Sequence, residues 1–244
     1  MILKTFKEML KVEFILSIRD MNMVIFAILM PVVIMFLIGS IYSGNNGSTE
    51  MISRSFSAVS TVGICAGGLM GLPLVVADYR QKKILKRLQV TPISPLLILI
   101  VQVAIYIIYA VASLILVYLL ATIFFGYQMQ GPLWQFLGYY VLVMASMFSI
   151  GMMVGGLSAN MKTASLITSL LYFPMLVFSG TTLPYEIMPT SLQKIADFLP
   201  LTQGIKLLEA VSLNMEISNM FPILIMVAII IVCTTLSIKL FKWE

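Results

Sequence analysis

The sequence predicts an all-α integral membrane protein with six transmembrane helices, and two observations carry that prediction. Hydrophobic residues make up 60% of the 244 residues and charged residues only 10%, too few charges to cover a soluble surface. Uncharged runs long enough to cross a bilayer also recur along the chain. The longest extends over 74 residues, from Leu88 to Met161.

Charged residues and turn signals divide the chain into its six predicted spans. The long uncharged run is split at Gly126–Pro132, whose glycines and proline are typical of a turn. The spans are predicted at about 21–43, 55–77, 96–125, 134–157, 163–178 and 217–238. The loops between them are short, so residues 1–244 are expected to form a single membrane domain.

The basic residues predict the orientation of the spans. Twelve of the 15 lysines and arginines lie before span one, between spans two and three, between four and five, or after six. Arg54, Lys194 and Lys206 lie on the opposite side. Because Lys and Arg are enriched in cytoplasmic loops, both termini are predicted to be cytoplasmic. The net charge of +5 therefore indicates topology, and no nucleic-acid partner is expected.

Residues 1–20 are predicted to form an amphipathic helix that lies in the cytoplasmic interface. Its apolar side is interrupted by Glu13 at the far end. The apolar residues that share this side at helical spacing are Ile2, Leu3, Phe6, Met9, Leu10 and Phe14. A docking surface for a partner protein is the alternative interpretation of the same pattern.

Several function classes are excluded or disfavoured by what the sequence lacks. It contains no histidine, so His-based catalysis and His-ligated zinc or haem are excluded. No Asp, Glu, Lys or Arg lies inside a predicted span, which argues against an ion-coupled carrier. The sequence also has no phosphate-binding G-x-x-x-x-G-K-[ST] motif. Energy for any uphill transport must therefore come from another chain.

The segment from Asp78 to Pro95 is predicted to be a short amphipathic helix on the cytoplasmic side. Ile84, Leu85 and Leu88 share one face. The Thr91-Pro92 and Ser94-Pro95 dipeptides that follow end the helix. The opposite face is basic and comprises Arg80, Lys82, Lys83, Lys86 and Arg87. A cytoplasmic partner could bind such a helix and transmit movement to the bundle through it. Alternatively, the helix could anchor the chain on anionic lipid.

The external segment between spans five and six is predicted to fold as two short amphipathic helices. Pro184, Pro189 and Pro200 punctuate it. The apolar faces are formed by Leu192, Ile195, Ala196 and Leu199 in the first helix and by Leu201, Ile205 and Leu208 in the second. Apolar faces in an external loop favour a hairpin that re-enters the outer leaflet. A loop that merely caps the bundle is the alternative.

Glycines at every fourth position predict close helix packing in spans two and four. They are Gly63, Gly67 and Gly71 in span two, and Gly151 and Gly155 in span four. This spacing lets helix backbones approach closely inside a membrane. Packing within the chain is one interpretation, and a role at a dimer interface or along a translocation path is the other.

Together, these features resemble the permease subunits of type-2 ATP-binding-cassette exporters. The first match is the basic helix that ends in Val-Thr-Pro, although Tyr79, Gln81, Lys83 and Ile84 depart from the family pattern. Its matching residues are Arg80, Leu85, Arg87, Leu88, Val90, Thr91 and Pro92. The second match is the external hairpin, at Ser179-Gly180, Pro184, Pro189, Leu192-Gln193, Ile195-Ala196 and Leu199-Pro200-Leu201-Thr202.

The resemblance implies a permease without enzyme activity of its own, in the plasma membrane of a bacterium. Two permease chains, identical or homologous, would surround a path driven by two copies of a separate ATPase that binds ATP and magnesium. The residues implied to contact the ATPase from the coupling helix are Arg80, Lys83, Ile84, Leu85, Arg87 and Leu88. Those implied to form the external gate are Pro184, Pro189, Leu192, Ile195, Leu199 and Pro200.

The cargo is expected to be hydrophobic or amphipathic, because the predicted spans hold no counter-ion for a charged ligand. Drug efflux, lipid export and export of a membrane-active peptide all fit this expectation. Export of a polysaccharide or lipid-linked glycan is the alternative cargo class. A membrane anchor that recruits a cytoplasmic protein without transporting anything is the alternative of a different class.

Overall fold

The computed structural model describes residues 2–42, 48–84, 95–181, 185, 188–216 and 219–240, and the regular structure in these ranges is helical. The helices are α1 (Ile2–Arg19), α2 (Met21–Val24), α3 (Met30–Tyr42), α4 (Ser48–Cys65), α5 (Leu72–Gln81), α6 (Pro95–Phe125), α7 (Leu133–Leu157), α8 (Met161–Phe178), α9 (Thr190–Asp197), α10 (Pro200–Ser212) and α11 (Phe221–Leu240). π-Helical turns at Ile25–Leu29 and Ala66–Gly71 join α2 to α3 and α4 to α5.

Six helical stretches in the described part of the chain are long and apolar enough to cross a bilayer. They are span one (Ile25–Tyr42), span two (Glu50–Gln81), span three (Leu96–Phe125), span four (Leu133–Leu157), span five (Met161–Phe178) and span six (Phe221–Lys239). The predicted all-α fold with six membrane-spanning helices is therefore confirmed.

Span two is longer at both ends than the predicted 55–77. Its helix begins at Ser48 and continues to Gln81, past charged residues that were taken as boundaries. At the first end, Glu50 and Arg54 are four residues apart and form an ion pair of 2.8 Å. Asp78 and Lys82 form a similar pair of 2.7 Å at the other end. Ion pairs at this spacing lie on one helix face and extend the helix instead of ending it.

Capping asparagines fix the first turns of spans five and six. Asn160 accepts a hydrogen bond from the Thr163 backbone N–H, 2.9 Å away, and α8 begins at the next residue, Met161. Asn219 accepts one from the Phe221 N–H, also at 2.9 Å. The helix of span six therefore starts at Phe221, later than the predicted start at 217, which lies outside the described residues.

Spans two and four form the centre of the bundle and cross at very short range. Span two is buried over most of its length, whereas spans one, five and six are largely exposed. A Cβ atom on Gly151 would overlap the backbone carbonyl oxygen of Gly68, so only a glycine fits there. Exposed apolar side chains such as Leu170 and Ile238 cover the outside, as lipid contact requires.

All five predicted glycines lie at helix contacts within this chain. In span two, Gly63 faces Ser113 of span three, and Gly67 and Gly71 both face Tyr106 of the same span. In span four, Gly151 and Gly155 face span two. The fourth-residue spacing in each span therefore follows a seam between neighbouring helices.

The bundle has two polar ends. The α1 end carries α1, the end of span two, the start of span three and the turn between spans four and five. The α10 end carries α9 and α10, the start of span two and the turn between spans three and four. At the α10 end, the hydroxyl groups of Tyr127 and Ser212 are hydrogen-bonded at 2.5 Å, which joins that turn to α10.

Candidate functional site

The segment after span two changes direction at Lys83. The helix ends at Gln81, and Lys83 has a φ of +55°, a left-handed conformation that cannot continue a right-handed helix. The helix predicted in the segment from Asp78 to Pro95 is therefore interrupted at Lys83, and Arg80 belongs to span two. Ile84 resumes a helical conformation and is half-buried. The other predicted coupling residues, Leu85, Arg87 and Leu88, lie outside the described residues.

Arg80 fastens the end of span two to the end of span four. Its guanidinium donates hydrogen bonds to the carbonyl oxygens of Gly156 at 3.0 Å and Ser158 at 2.8 Å. These carbonyls belong to the C-terminal end of α7, where helices leave acceptors without intrahelical partners. Gln81 also accepts a hydrogen bond from the Met161 N–H at 3.0 Å, at the start of span five. Span two is thus joined to spans four and five directly before Lys83, where the chain changes direction.

A second polar cluster fastens α1 to spans two and three. The Tyr79 hydroxyl donates to the Glu13 carboxylate at 2.5 Å, and the Gln102 amide donates to the same oxygen at 2.9 Å. Gln102 also donates to the Tyr79 hydroxyl at 3.1 Å. Farther along α1, Tyr109 of span three donates to Ser17 at 2.8 Å. The carboxylate of Glu13, which interrupts the apolar side of α1, therefore contributes polar contacts between this helix and the bundle.

The apolar side of α1 packs against the hydrophobic core of the bundle. The side chains that contribute to this packing are Phe6, Met9, Leu10 and Phe14. Sequence reasoning identified this face but not the polar cluster. The one signal was the misplaced charge of Glu13, because a carboxylate on an apolar face needs partners supplied by another element.

At the α10 end, the predicted gate residues lie on or beside the two short helices. Pro189 precedes α9, Leu199 precedes α10, and the buried Pro200 occupies the first turn of α10. Leu192 is half-buried, and Ile195 is 54% exposed. Pro184 lies outside the described residues. The apolar face of α10 is buried against the bundle, with Leu201, Ile205 and Leu208 all nearly inaccessible.

Ion pairs join α10 to span two and to the preceding helix, α9. Arg54 pairs with Glu209 of α10 as well as with Glu50. Lys206 of α10 pairs with Asp197 of α9 at 2.5 Å. Sequence reasoning used Arg54 and Lys206 only as topology markers. Their partners lie on different elements, so spacing along the chain could not reveal these contacts.

Tyr185 completes this charged cluster. Its hydroxyl donates to the Asp197 carboxylate at 2.9 Å, and the Lys206 ammonium lies 4.5 Å from the centre of its ring. Burial, followed by the hydrogen bond to Asp197, raises the pKa of the Tyr185 phenol above its ordinary value. The Tyr185 phenol acts as a hydrogen-bond donor to Asp197.

A helical bundle of six apolar spans with two structured polar ends defines a multi-pass membrane protein. Over residues 4–213 the chain matches the family model described as ABC-2 type transporter. The chain therefore belongs to the ABC-2 type transporter family.

One similar curated protein is Nodulation protein J of Rhizobium leguminosarum bv. viciae. It is 35% identical to this chain over 71 residues, which is 29% of this chain and 27% of that protein. This partial similarity agrees with the family match. The resemblance seen in the sequence is thereby confirmed at the level of the family.

Proposed function

We propose that this chain is one half of the membrane part of an exporter. Two permease chains, identical or homologous, enclose the path in the bacterial plasma membrane, and two copies of an ATPase drive it with ATP and magnesium. The cargo is a hydrophobic or amphipathic molecule. The family match over residues 4–213 supports the class of function, and the apolar character of the spans supports the class of cargo.

The observation that carries the coupling mechanism is the junction around Arg80. Span two ends at Gln81, and this end is hydrogen-bonded to spans four and five. Through Tyr79 the same end is bonded to Glu13 of α1 and to Gln102 of span three. Displacement of the segment that follows Gln81 therefore acts on four of the six spans and on α1. An ATPase seated on this segment could move most of the bundle.

In this proposal the α1 end faces the cytoplasm and the α10 end faces outward, as the excess of basic residues at the α1 end indicates. A cysteine introduced at Lys194 should react with a membrane-impermeant maleimide added to intact cells, because Lys194 lies on an exposed part of α9. One introduced at the exposed Lys83 should react only after the cells are opened. Labelling in the opposite pattern would reverse the orientation.

The coupling segment is tested by Leu85→Asp, with Lys83→Gln as the matched control two residues away. Periodicity places Leu85 on the apolar face of the segment, where burial of a leucine in a partner stabilises a complex by roughly 1.5–3 kcal/mol. We expect Leu85→Asp to weaken ATPase binding at least about tenfold. The exposed Lys83 contributes less than a buried apolar contact, so Lys83→Gln should weaken ATPase binding far less than Leu85→Asp does.

The measurement is co-purification of the ATPase, followed by ATP hydrolysis and cargo movement in proteoliposomes. A Leu85→Asp chain that retains its ATPase and exports normally would contradict the coupling role and favour a lipid anchor. A wild-type chain that binds the ATPase but moves nothing would instead be a membrane anchor. ATP hydrolysis by the chain alone would contradict the division of labour between the two subunits.

A further inference from the structure

A cavity of about 580 Å³ lies at the α1 end, between α1, the start of span one, span two and the start of span three. Its size is within the range of about 300–1,000 Å³ typical of small-molecule sites. Most of its surface is apolar. The apolar side chains that line it, all at least partly accessible, include Leu16, Met23, Phe26, Met70, Leu74 and Val75. The cavity can therefore hold the hydrocarbon part of an amphiphile.

The polar part of the lining is acidic. It contains the carboxylates of Glu13, Asp20 and Asp78, and among the residues that the structure describes no lysine or arginine lines the cavity. Glu13 and Asp78 are half-buried and Asp20 is exposed, so none of the three is sealed inside the protein. A cleft with apolar walls and charges of one sign concentrates ions of the opposite sign. The charge of this cavity is therefore complementary to a cation.

Two of these carboxylates have no cation beside them in the described ranges. The groups that bond Glu13 are the uncharged hydroxyl of Tyr79 and the uncharged amide of Gln102. Asp20 likewise forms no ion pair with a described residue, whereas Asp78 pairs with Lys82 at 2.7 Å. Hydrogen bonds from neutral donors leave the charge of a carboxylate uncompensated, and a cation in the cavity would compensate it.

Aromatic rings extend this preference to cations without N–H donors. Phe26 and Tyr79 line the same cavity, and both side chains are partly accessible. An alkylated ammonium is attracted to the face of an aromatic ring within about 6 Å of its centre, even though it cannot donate a hydrogen bond. The lining thus offers carboxylates and rings to one head group.

The cavity is open on its apolar side. Leu16 of α1 is 53% exposed and Phe26 of span one is 40% exposed, and both belong to the lining. The apolar lining is therefore continuous with the outer surface of span one. An alkyl chain attached to the cation can leave the cavity along this surface, in contact with lipid.

We propose that this cavity binds an amphiphile with a cationic head group, such as an alkylated ammonium. Glu13 and Asp20 attract the head group, Tyr79 contacts it through its ring, and the alkyl chain lies against Leu16 and Phe26. Such a ligand contacts α1 and span two together, so it stabilises the contact between these elements. The proposal goes beyond the transport function and does not depend on the identity of the cargo.

The test is thermal unfolding of the full chain in phosphatidylcholine nanodiscs. The probe is dodecyltrimethylammonium, compared with the uncharged dodecyl maltoside, with tetramethylammonium, and with discs that contain phosphatidylglycerol. At about 100 times its Kd, the probe should raise the unfolding midpoint by about 5 °C or more. The uncharged amphiphile, the head group without its chain, and the anionic lipid should each leave the midpoint nearly unchanged.

Glu13→Gln and Asp20→Asn separate the charge of the cavity from its shape. Glutamine keeps an acceptor oxygen for Tyr79, and asparagine is as favourable as aspartate before a helix. Each variant should lose at least half of the shift caused by the probe. The matched control is Glu8→Gln, because Glu8 is an exposed residue of the same helix and lies outside the cavity lining. The control loses the same charge and should keep the full shift.

The proposal fails if dodecyl maltoside or phosphatidylglycerol stabilises the chain as well as the cationic probe does. It also fails if both cavity variants keep the full shift, or if the probe causes none. A photoreactive diazirine derivative of the probe gives an independent readout, since it should label peptides of α1 and span two. Labelling confined to other helices would overturn the site. These measurements need no ATPase, so their failure would leave the exporter proposal intact.

Discussion

Gly151→Val is expected to lower both the yield and the thermal midpoint of the folded protein sharply. A Cβ atom at Gly151 would overlap the carbonyl oxygen of Gly68, and backbone cannot move aside as a flexible side chain can. Overpacking of a core costs about 1–3 kcal/mol, and an overlap with backbone belongs at the upper end of this range. Since spans two and four form the centre of the bundle, their separation should propagate to the other spans.

The measurement is the yield of monodisperse protein after detergent extraction, with the thermal midpoint of whatever folds. Gly138→Val is the matched control, because Gly138 lies on the same helix and a Cβ atom there meets nothing within 4 Å. The control should fold with a midpoint close to that of the wild type. A Gly151→Val chain that folds as well as the control would show that spans two and four do not approach this closely.

Arg80→Gln is expected to loosen the junction of spans two and four and to uncouple transport from ATP hydrolysis. Hydrogen bonds from a charged donor contribute about 1.5–3 kcal/mol each, and Arg80 donates one to Gly156 and one to Ser158. Both acceptor residues are buried, so water does not readily replace the guanidinium. The thermal midpoint should fall clearly, and cargo movement per ATP hydrolysed should fall further.

Lys82→Gln is the control for this change. Lys82 is exposed and pairs with Asp78 four residues earlier, a contact worth only about 0.3–0.5 kcal/mol. Hydrogen exchange supplies a local readout, since the turn from Ser158 to Met161 should exchange faster in Arg80→Gln and unchanged in Lys82→Gln. Normal exchange in that turn, together with normal coupling, would exclude a mechanical role for Arg80.

Some boundaries of the spans were predictable and others were not, and the reasons differ from residue to residue. The turn at Gly126–Pro132 was found because glycine and proline act locally. The start of span two was placed too late because Glu50 and Arg54 were counted as charges that end a membrane helix. In the structure they pair with each other along one helix face, and Arg54 also pairs with Glu209 of α10.

The candidate site was likewise predictable only in part from the sequence. The segment after span two could be located because apolar and basic residues alternate at helical spacing there, but the break at Lys83 could not. A residue other than glycine rarely adopts a left-handed conformation, and it does so only where its three-dimensional surroundings favour it. Those surroundings cannot be derived from a single sequence.

The sequence by itself determined that this protein lies in a membrane and that it has six spans alternating between two polar ends. It also determined the family of the protein. The membrane location and the spans follow from composition, short-range periodicity and the distribution of basic residues. The family follows instead from the resemblance of two segments, the basic helix after span two and the segment between spans five and six, to known permeases. The tertiary structure alone decided which polar groups meet. Arg80 finds carbonyls 76 and 78 residues away, and Tyr79 finds a carboxylate 66 residues away. Such partners are brought together by the crossing of helices, whose geometry depends on all the contacting side chains at once.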